Sequence, residues 1–224
     1  MKRTTLTIAL LVFASAAQAG DIAVEHWGAG QQKALNTTPD LRAQAKHLLQ
    51  KLLPNADLIT PTVGEAYFAN LEKNSDIELL ATVDYSGRGF FNTVVVVSQH
   101  QGRLEWTEVK SNSRSIENLK SHLVDVNGDG VPELVLQRYI DRYEGAHRVP
   151  EETVIYRWQG QGSHGFKDDS DSFPMYYRTH IVRPLQKKLA QALAKPSTSR
   201  AKDDYDAFAI KAELARAKHR AGMK

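Results

Sequence analysis

Residues 125–136, DVNGDGVPELVL, hold the densest set of hard oxygen donors in the chain. Asp125, Asn127 and Asp129 stand at positions one, three and five of this stretch, so a tight loop turns their side-chain oxygens toward one centre. Gly128 and Gly130 permit the positive φ that wraps backbone around such a centre. The carbonyl of Val131 falls at position seven and the carboxylate of Glu133 at position nine. These five groups form a set that suits calcium, with water completing the sphere; magnesium, which gives up its water reluctantly, fits it less well. The alternative is an Asp-Gly turn held by its own hydrogen bonds. No base or nucleophile adjoins the loop in sequence, so a catalytic role is the weakest of the three readings.

An EF-hand is excluded. That loop needs a glutamate at position twelve and a flanking helix, whereas position twelve here is Leu136 and Pro132-Glu133-Leu134-Val135-Leu136 reads as the start of a strand. The pattern Asp-x-Asn-Gly-Asp-Gly-x-Pro-Glu-Leu-Val instead resembles the calcium loop of the FG-GAP/VCBS repeat families. The likeness is good over about residues 120–166 and weaker over 78–109, with the full repeat-like part at about 77–166. It implies a structural Ca2+ held by Asp125, Asn127, Asp129, the Val131 carbonyl and Glu133. Val154-Ile-Tyr-Arg-Trp-Gln-Gly160 is similar to the family's closing hairpin. A second copy, Asp84-Tyr-Ser86-Gly-Arg88-Gly89, lies 41 residues earlier and departs from the pattern. Arg88 replaces its third ligand, so Asp84 and Ser86 are expected to bind nothing. Repeats of this length suggest propeller blades, but the strands suffice for about one and a half, and a closed ring is rejected.

Other chemistry is sparse. Gly160-Gln-Gly162-Ser-His-Gly165 matches G-x-G-x-x-G in letters only, because a dinucleotide loop must open a helix and this one runs into Phe166-Lys-Asp-Asp. The acids Asp168, Asp169 and Asp171 read as a solvated loop with at most weak cation binding. Eight histidines are scattered without metal spacing, and no nucleophile elbow is present. Residues 141–152, DRYEGAHRVPEE, join two strands over a length unusual for a hairpin. Long loops on rigid sheets often carry binding, which makes Arg142, Tyr143, His147 and Arg148 candidates for touching a partner; a tolerated insertion is the equal alternative.

The elements that must position these groups can be read in outline. Thr38-Pro39-Asp40 is a helix start, with a capping hydroxyl, proline in the first turn and an acid near the positive end of the dipole. Leu41, Ala45, Leu48, Leu49 and Leu52 then follow on one face until Pro54. Residues 55–76 are mixed, with turn signals at Pro61 and Gly64 and a short helix expected over Ala66–Leu71. Six β runs follow, at 77–83, 93–98, 104–109, 123–126, 133–140 and 153–158, with a hairpin turn at Gln99-His100-Gln101-Gly102. The end returns to helix: Ile181, Leu185, Leu189 and Ala192 or Leu193 share a face, with Pro184 near a start or kink. Residues 195–199 read as a linker. Asp203–Ala221 forms a last helix whose apolar face, Phe208, Ala212 and Ala215, is thin, and which either packs on a partner or frays.

Bulk properties narrow the class. Lys2 and Arg3, the apolar run Leu6–Ala14 and Ala17-Gln18-Ala19 have the form of a cleaved secretory signal over residues 1–19. No lipid-anchor cysteine follows it, and no second run is long enough to cross a bilayer. The destination expected is periplasmic or secreted. The chain has no cysteine, which excludes thiolate chemistry, disulfides and cysteine–zinc sites. From Gly20 to Tyr177 there are 15 Lys and Arg against 22 Asp and Glu; from Arg178 to Lys224 there are 12 against 4. An acidic body thus carries a basic C-terminal part from Arg178, of which residues 196–224 are the helical tail. Such a tail suits an anionic partner or lies on its own acidic body, and nucleic acid is not expected for an exported protein.

The expectation is an α+β domain over residues 20–195: an antiparallel meander of about six strands with one calcium loop, flanked by N- and C-terminal helices. The function expected is an exported binding module whose partner is an envelope protein, inhibitor or immunity type included, or a polysaccharide, with possible contact through the basic C-terminal helix. The rival is a periplasmic hydrolase using carboxylates, calcium being structural only.

Overall fold

The computed structural model describes residues 29–54, 60–74, 76–100, 103–111, 115–140, 149–160, 165–194 and 200–223. The expected signal segment, the 195–199 linker and most of the long 141–152 loop lie outside them. Helices α1 (Gln32–Thr37) and α2 (Pro39–Leu52) lead into a sheet of four antiparallel strands, β1 (Thr62–Ala69), β2 (Glu78–Asp84), β3 (Thr93–His100) and β4 (Arg103–Lys110). A second sheet of four follows: β5 (Leu123–Val124), β6 (Glu133–Tyr139), β7 (Glu151–Trp158) and β8 (Phe166–Asp168). The chain ends in α3 (Pro174–Tyr176), a π-helical turn (Tyr177–Val182), α4 (Arg183–Ala194) and α5 (Arg200–Arg220).

The fold is α+β and antiparallel, as the sequence implies, with eight strands in two sheets in place of about six in one. Alternation along the strands dictates four layers. Leu80, Val94 and Val96 of the first sheet meet Leu134, Leu136, Val154 and Tyr156 of the second in a core between the sheets. Leu79, Ala81, Val83, Val95 and Val97 point the other way, onto Ala45, Leu49 and Leu53 of the α2 side. Val135 and Ile155 turn outward from the second sheet onto Tyr177, Val182, Leu214, Ala217 and Ala221. Strands covered on both faces need unbroken apolar runs, which is why Val94–Val97 is four valines and every residue of β2 is buried.

Three local expectations are corrected. The helix expected at Ala66–Leu71 is strand β1. Its alternation is hidden by a bulge between Val63 and Ala66, where the Glu65 N–H donates to Thr82 Oγ1 at 2.9 Å in place of a ladder bond. Gly64 is required there because a Cβ would collide with Thr82 and the Phe91 ring. Thr38 stands at the N-cap of α2, with Pro39 and Asp40 in the first turn, but its hydroxyl makes no capping bond. In α5 the buried face is Ala207, Ile210, Leu214 and Ala217; Phe208 is half-exposed and Ala215 exposed. Alanines and a buried Glu213, which accepts the Glu151 N–H at 3.2 Å, make that face hard to see.

Pro184 lacks the N–H that would reach back to His180, and the wider π turn ends just before it. That turn swings Tyr177 inward, where its hydroxyl donates to the Thr153 carbonyl at 2.7 Å. No helix among the described residues is long and apolar enough to cross a membrane.

Candidate metal centre

β5 ends at Val124 and β6 begins at Glu133, so the loop of residues 125–132 joins neighbouring strands at one end of the second sheet. Gly128 and Gly130 have φ of +76° and +86°, the left-handed turns that their position requires. Asp125 organises the loop: its Oδ1 accepts the Asp129 N–H at 3.0 Å and its Oδ2 the Gly130 N–H at 2.8 Å. Asn127 Oδ1 accepts the Asp129 N–H at 3.0 Å, and Asn127 Nδ2 donates to Asp129 Oδ2 at 2.9 Å. Asp129 Oδ1 accepts the Val131 N–H at 2.7 Å. Asp125, Asn127 and Asp129 thus form one hydrogen-bonded ring. Each carboxylate oxygen in it accepts one donor and keeps a lone pair.

Glu133 lies beneath this ring and is 1% exposed. Its Oε2 accepts the Val126 N–H at 2.9 Å, and its Oε1 is 3.6 Å from Arg157 Nε. Burial pushes its pKa up, and the Val126 N–H and Arg157 only partly oppose that. Asp129 moves the other way. The Val131 N–H and the Asn127 amide hold its carboxyl below the usual range, with Lys73 and Arg157 adding to the effect. Lys73 Nζ stands 3.9 Å from Asp129 Oδ1. Among the described residues no three His, Asp or Glu side chains converge as a ready-made metal cage. The oxygens of Asp125 and Asp129 are arranged around the loop's own N–H groups, and Glu133 faces an arginine.

The second copy of the motif is built by the same device. Asp84 Oδ1 accepts the N–H and the hydroxyl of Ser86, both at 2.6 Å, and Oδ2 accepts the Gly89 N–H at 2.6 Å. The five-residue reach from Asp84 to Gly89 repeats that from Asp125 to Gly130. Ser86 and Arg88 line a cleft with Tyr139, at the end of β6 remote from Glu133. The two loops therefore sit at opposite ends of the sandwich.

Arg142, Tyr143, His147 and Arg148 lie outside the described residues. The neck of their loop is closed by the Ile140 N–H donating to the Pro150 carbonyl at 2.9 Å. It leaves the far end of β6, some 20 Å from Glu133 at about 3.4 Å per residue.

The acids after β8 meet arginines. Arg220 pairs with Asp168 at 3.2 Å and Asp171 at 2.9 Å, while Arg157 pairs with Asp169 at 3.0 Å and stacks on Phe173 at 4.8 Å. Arg138 is bound by Glu152 at 2.7 Å. The basic C-terminal helix thereby lies on the acidic body. Sequence reading missed Arg157 and Arg220 as partners of these acids, and Lys73 as the partner of Asp129, because only sheet and helix packing brings them together.

Among the described residues two carboxyls have raised pKa values, Glu133 and Glu78. Burial pushes Glu78 up to about 7, against the Leu71 N–H that it accepts at 3.0 Å, and the neighbouring Glu72 and Asp76 add to the rise. Neither lines the cleft of Ser86, Arg88 and Tyr139. No family model, curated protein or solved structure matches the chain.

Proposed function

We propose that the chain is an exported, non-catalytic binding module whose Asp125 loop takes a structural calcium ion. The observation that carries the reading is the ring of Asp125, Asn127 and Asp129, closed by two left-handed glycines and seated on Glu133. Its oxygens are hard donors with spare lone pairs, the donor chemistry calcium prefers. On this reading the Val131 carbonyl and Glu133 complete the protein's ligands, and the ion stiffens the β5–β6 connection. The loop's likeness to the FG-GAP/VCBS pattern supports the same ion. Lys73 is the local competitor, since it places its own charge near Asp129.

Binding is preferred to hydrolysis because the two carboxyls with raised pKa are structural. Glu78 accepts the Leu71 N–H, and Glu133 braces the Asp125 loop. A hydrolase would place such a group in a cleft, beside a second carboxylate. The partner expected is an envelope protein, an inhibitor or immunity-type target included, or an envelope polysaccharide, met through the loop carrying Arg142, Tyr143, His147 and Arg148. Affinity capture from a native envelope extract tests this. Alanine at all four positions abolishes specific capture while the melting temperature stays within about 1 °C; unchanged capture removes the loop from the account.

A further inference from the structure

A cleft of about 910 Å³ lies between α1 and α2, the edge strand β1 and the turn at Leu119–His122. Four cations from three separate elements line it: Lys33 of α1, Arg42 and Lys46 of α2, and Lys120 of the turn. Arg42 and Lys46 are one helical turn apart and share a face. Among the described residues no carboxylate pairs with any of the four. The one acid in the lining, Glu65, is committed elsewhere, accepting the N–H groups of Leu119 at 2.6 Å and Asn118 at 3.3 Å. Four cations against one carboxylate, on a body whose balance is −7, make the cleft a local reversal of charge that focuses field toward anions.

The floor adds a second feature. Asn36 clasps the outer edge of β1, donating to the Phe68 carbonyl at 2.8 Å and accepting the Phe68 N–H at 2.7 Å. The main-chain groups of Phe68 therefore point away from β2. Ala66, two residues back and in regular register with Ala81, has the same phase and lines the cleft. No described side chain takes its N–H or C=O. Asn36 blunts the edge at Phe68, and the edge is open at Ala66.

We propose that this cleft binds an extended acidic segment of a polypeptide partner. The segment adds one backbone pair at Ala66 and sets its carboxylates against Lys33, Arg42, Lys46 and Lys120. An amide backbone offers a donor and an acceptor at the spacing of a strand edge, which a saccharide chain does not. The proposal rests on reading the chain as a binding module, and it names a contact surface made of residues other than Arg142, Tyr143, His147 and Arg148.

The test is fluorescence anisotropy with a labelled decapeptide of alternating Glu and Val. The full-length mature protein binds it, and affinity falls at least tenfold between about 50 and 200 mM salt. K33Q/R42Q/K46Q/K120Q weakens binding at least tenfold, and R42Q alone about threefold. K211Q/R216Q, which removes equal charge per site from α5, leaves binding unchanged. The same peptide N-methylated on alternate residues binds at least tenfold more weakly, as loss of the backbone pair requires. Absence of binding, indifference to the four substitutions, or binding of polygalacturonate but not of the peptide each overturns the proposal. Capture through the 141–148 loop is unaffected by K33Q/R42Q/K46Q/K120Q if only this inference is wrong, and is absent in the wild type if the binding-module reading itself is wrong.

Discussion

Glu133, the first residue of β6, reaches back to accept the N–H of Val126 at 2.9 Å, tying the Asp125 loop to the strand that follows it. The carboxylate is almost wholly buried, so this bond and the nearby Arg157 guanidinium are what make its charge tolerable. Replacing it leaves a buried N–H without an acceptor and Arg157 without that carboxylate. Glu133→Ala should cost about 2–3 kcal/mol in urea unfolding. A loss below about 0.5 kcal/mol would show that the loop is held without it.

Glu78 gives the protein a dependence on pH. Its folded pKa, about 7, stands above the ordinary 4.5. The folded protein therefore keeps a proton that the unfolded chain releases, and the stability this group contributes is complete below pH 4.5. It is lost as pH rises through 7. The loss is at most about 3 kcal/mol. Glu78→Gln should flatten unfolding free energy across that window relative to wild type; parallel profiles would assign the dependence to other groups.

Contact between the sheets passes through a glycine. Gly165 has φ of +73°, and a Cβ there would stand 2.5 Å from Thr107 Oγ1. Gly165→Ala should cost about 2–4 kcal/mol from the left-handed backbone and the collision together. Adding Thr107→Ala should recover the steric part, since that hydroxyl is buried with no hydrogen-bond partner among the described residues. No recovery would mean that backbone strain alone sets the cost.

The C-terminal helix closes the outer face of the second sheet. Leu214 is buried there with Tyr177 and Val182. Leu214→Ala should cost about 2–3 kcal/mol in a single cooperative transition. A separate early transition, or no cost, would mean that α5 melts on its own.

How much of this was legible in the sequence follows from where each feature is encoded. Val94–Val97 and Leu79–Val83 announce buried strands because their own side chains supply the signal. β1 does not, since its bulge at Gly64 and Glu65 breaks the alternation, and three-residue β8 is too short to register. The division into two sheets is set by which faces pair, a property of Leu80 and Val96 meeting Leu136 and Val154 and not of any one run. The Asp125 ring is local, within nine residues, so its parts are legible in the sequence alone. Lys73, Arg157 and the cationic cleft join residues far apart in the chain, and only folding places them together.

The most direct measurement is thermal unfolding of the protein stripped with EDTA, then repeated in about 1 mM calcium. At the affinity of extracellular modules, a Kd of about 10⁻⁴ M, the ion should add about 1.4 kcal/mol. For a domain of this size that raises the melting temperature by roughly 3–6 °C. Asp125→Ala and Asp129→Ala should each abolish the rise, and magnesium should give little of it. Superimposable melting curves with calcium and with EDTA would contradict the account and leave the Asp125 loop as a turn held by its own hydrogen bonds.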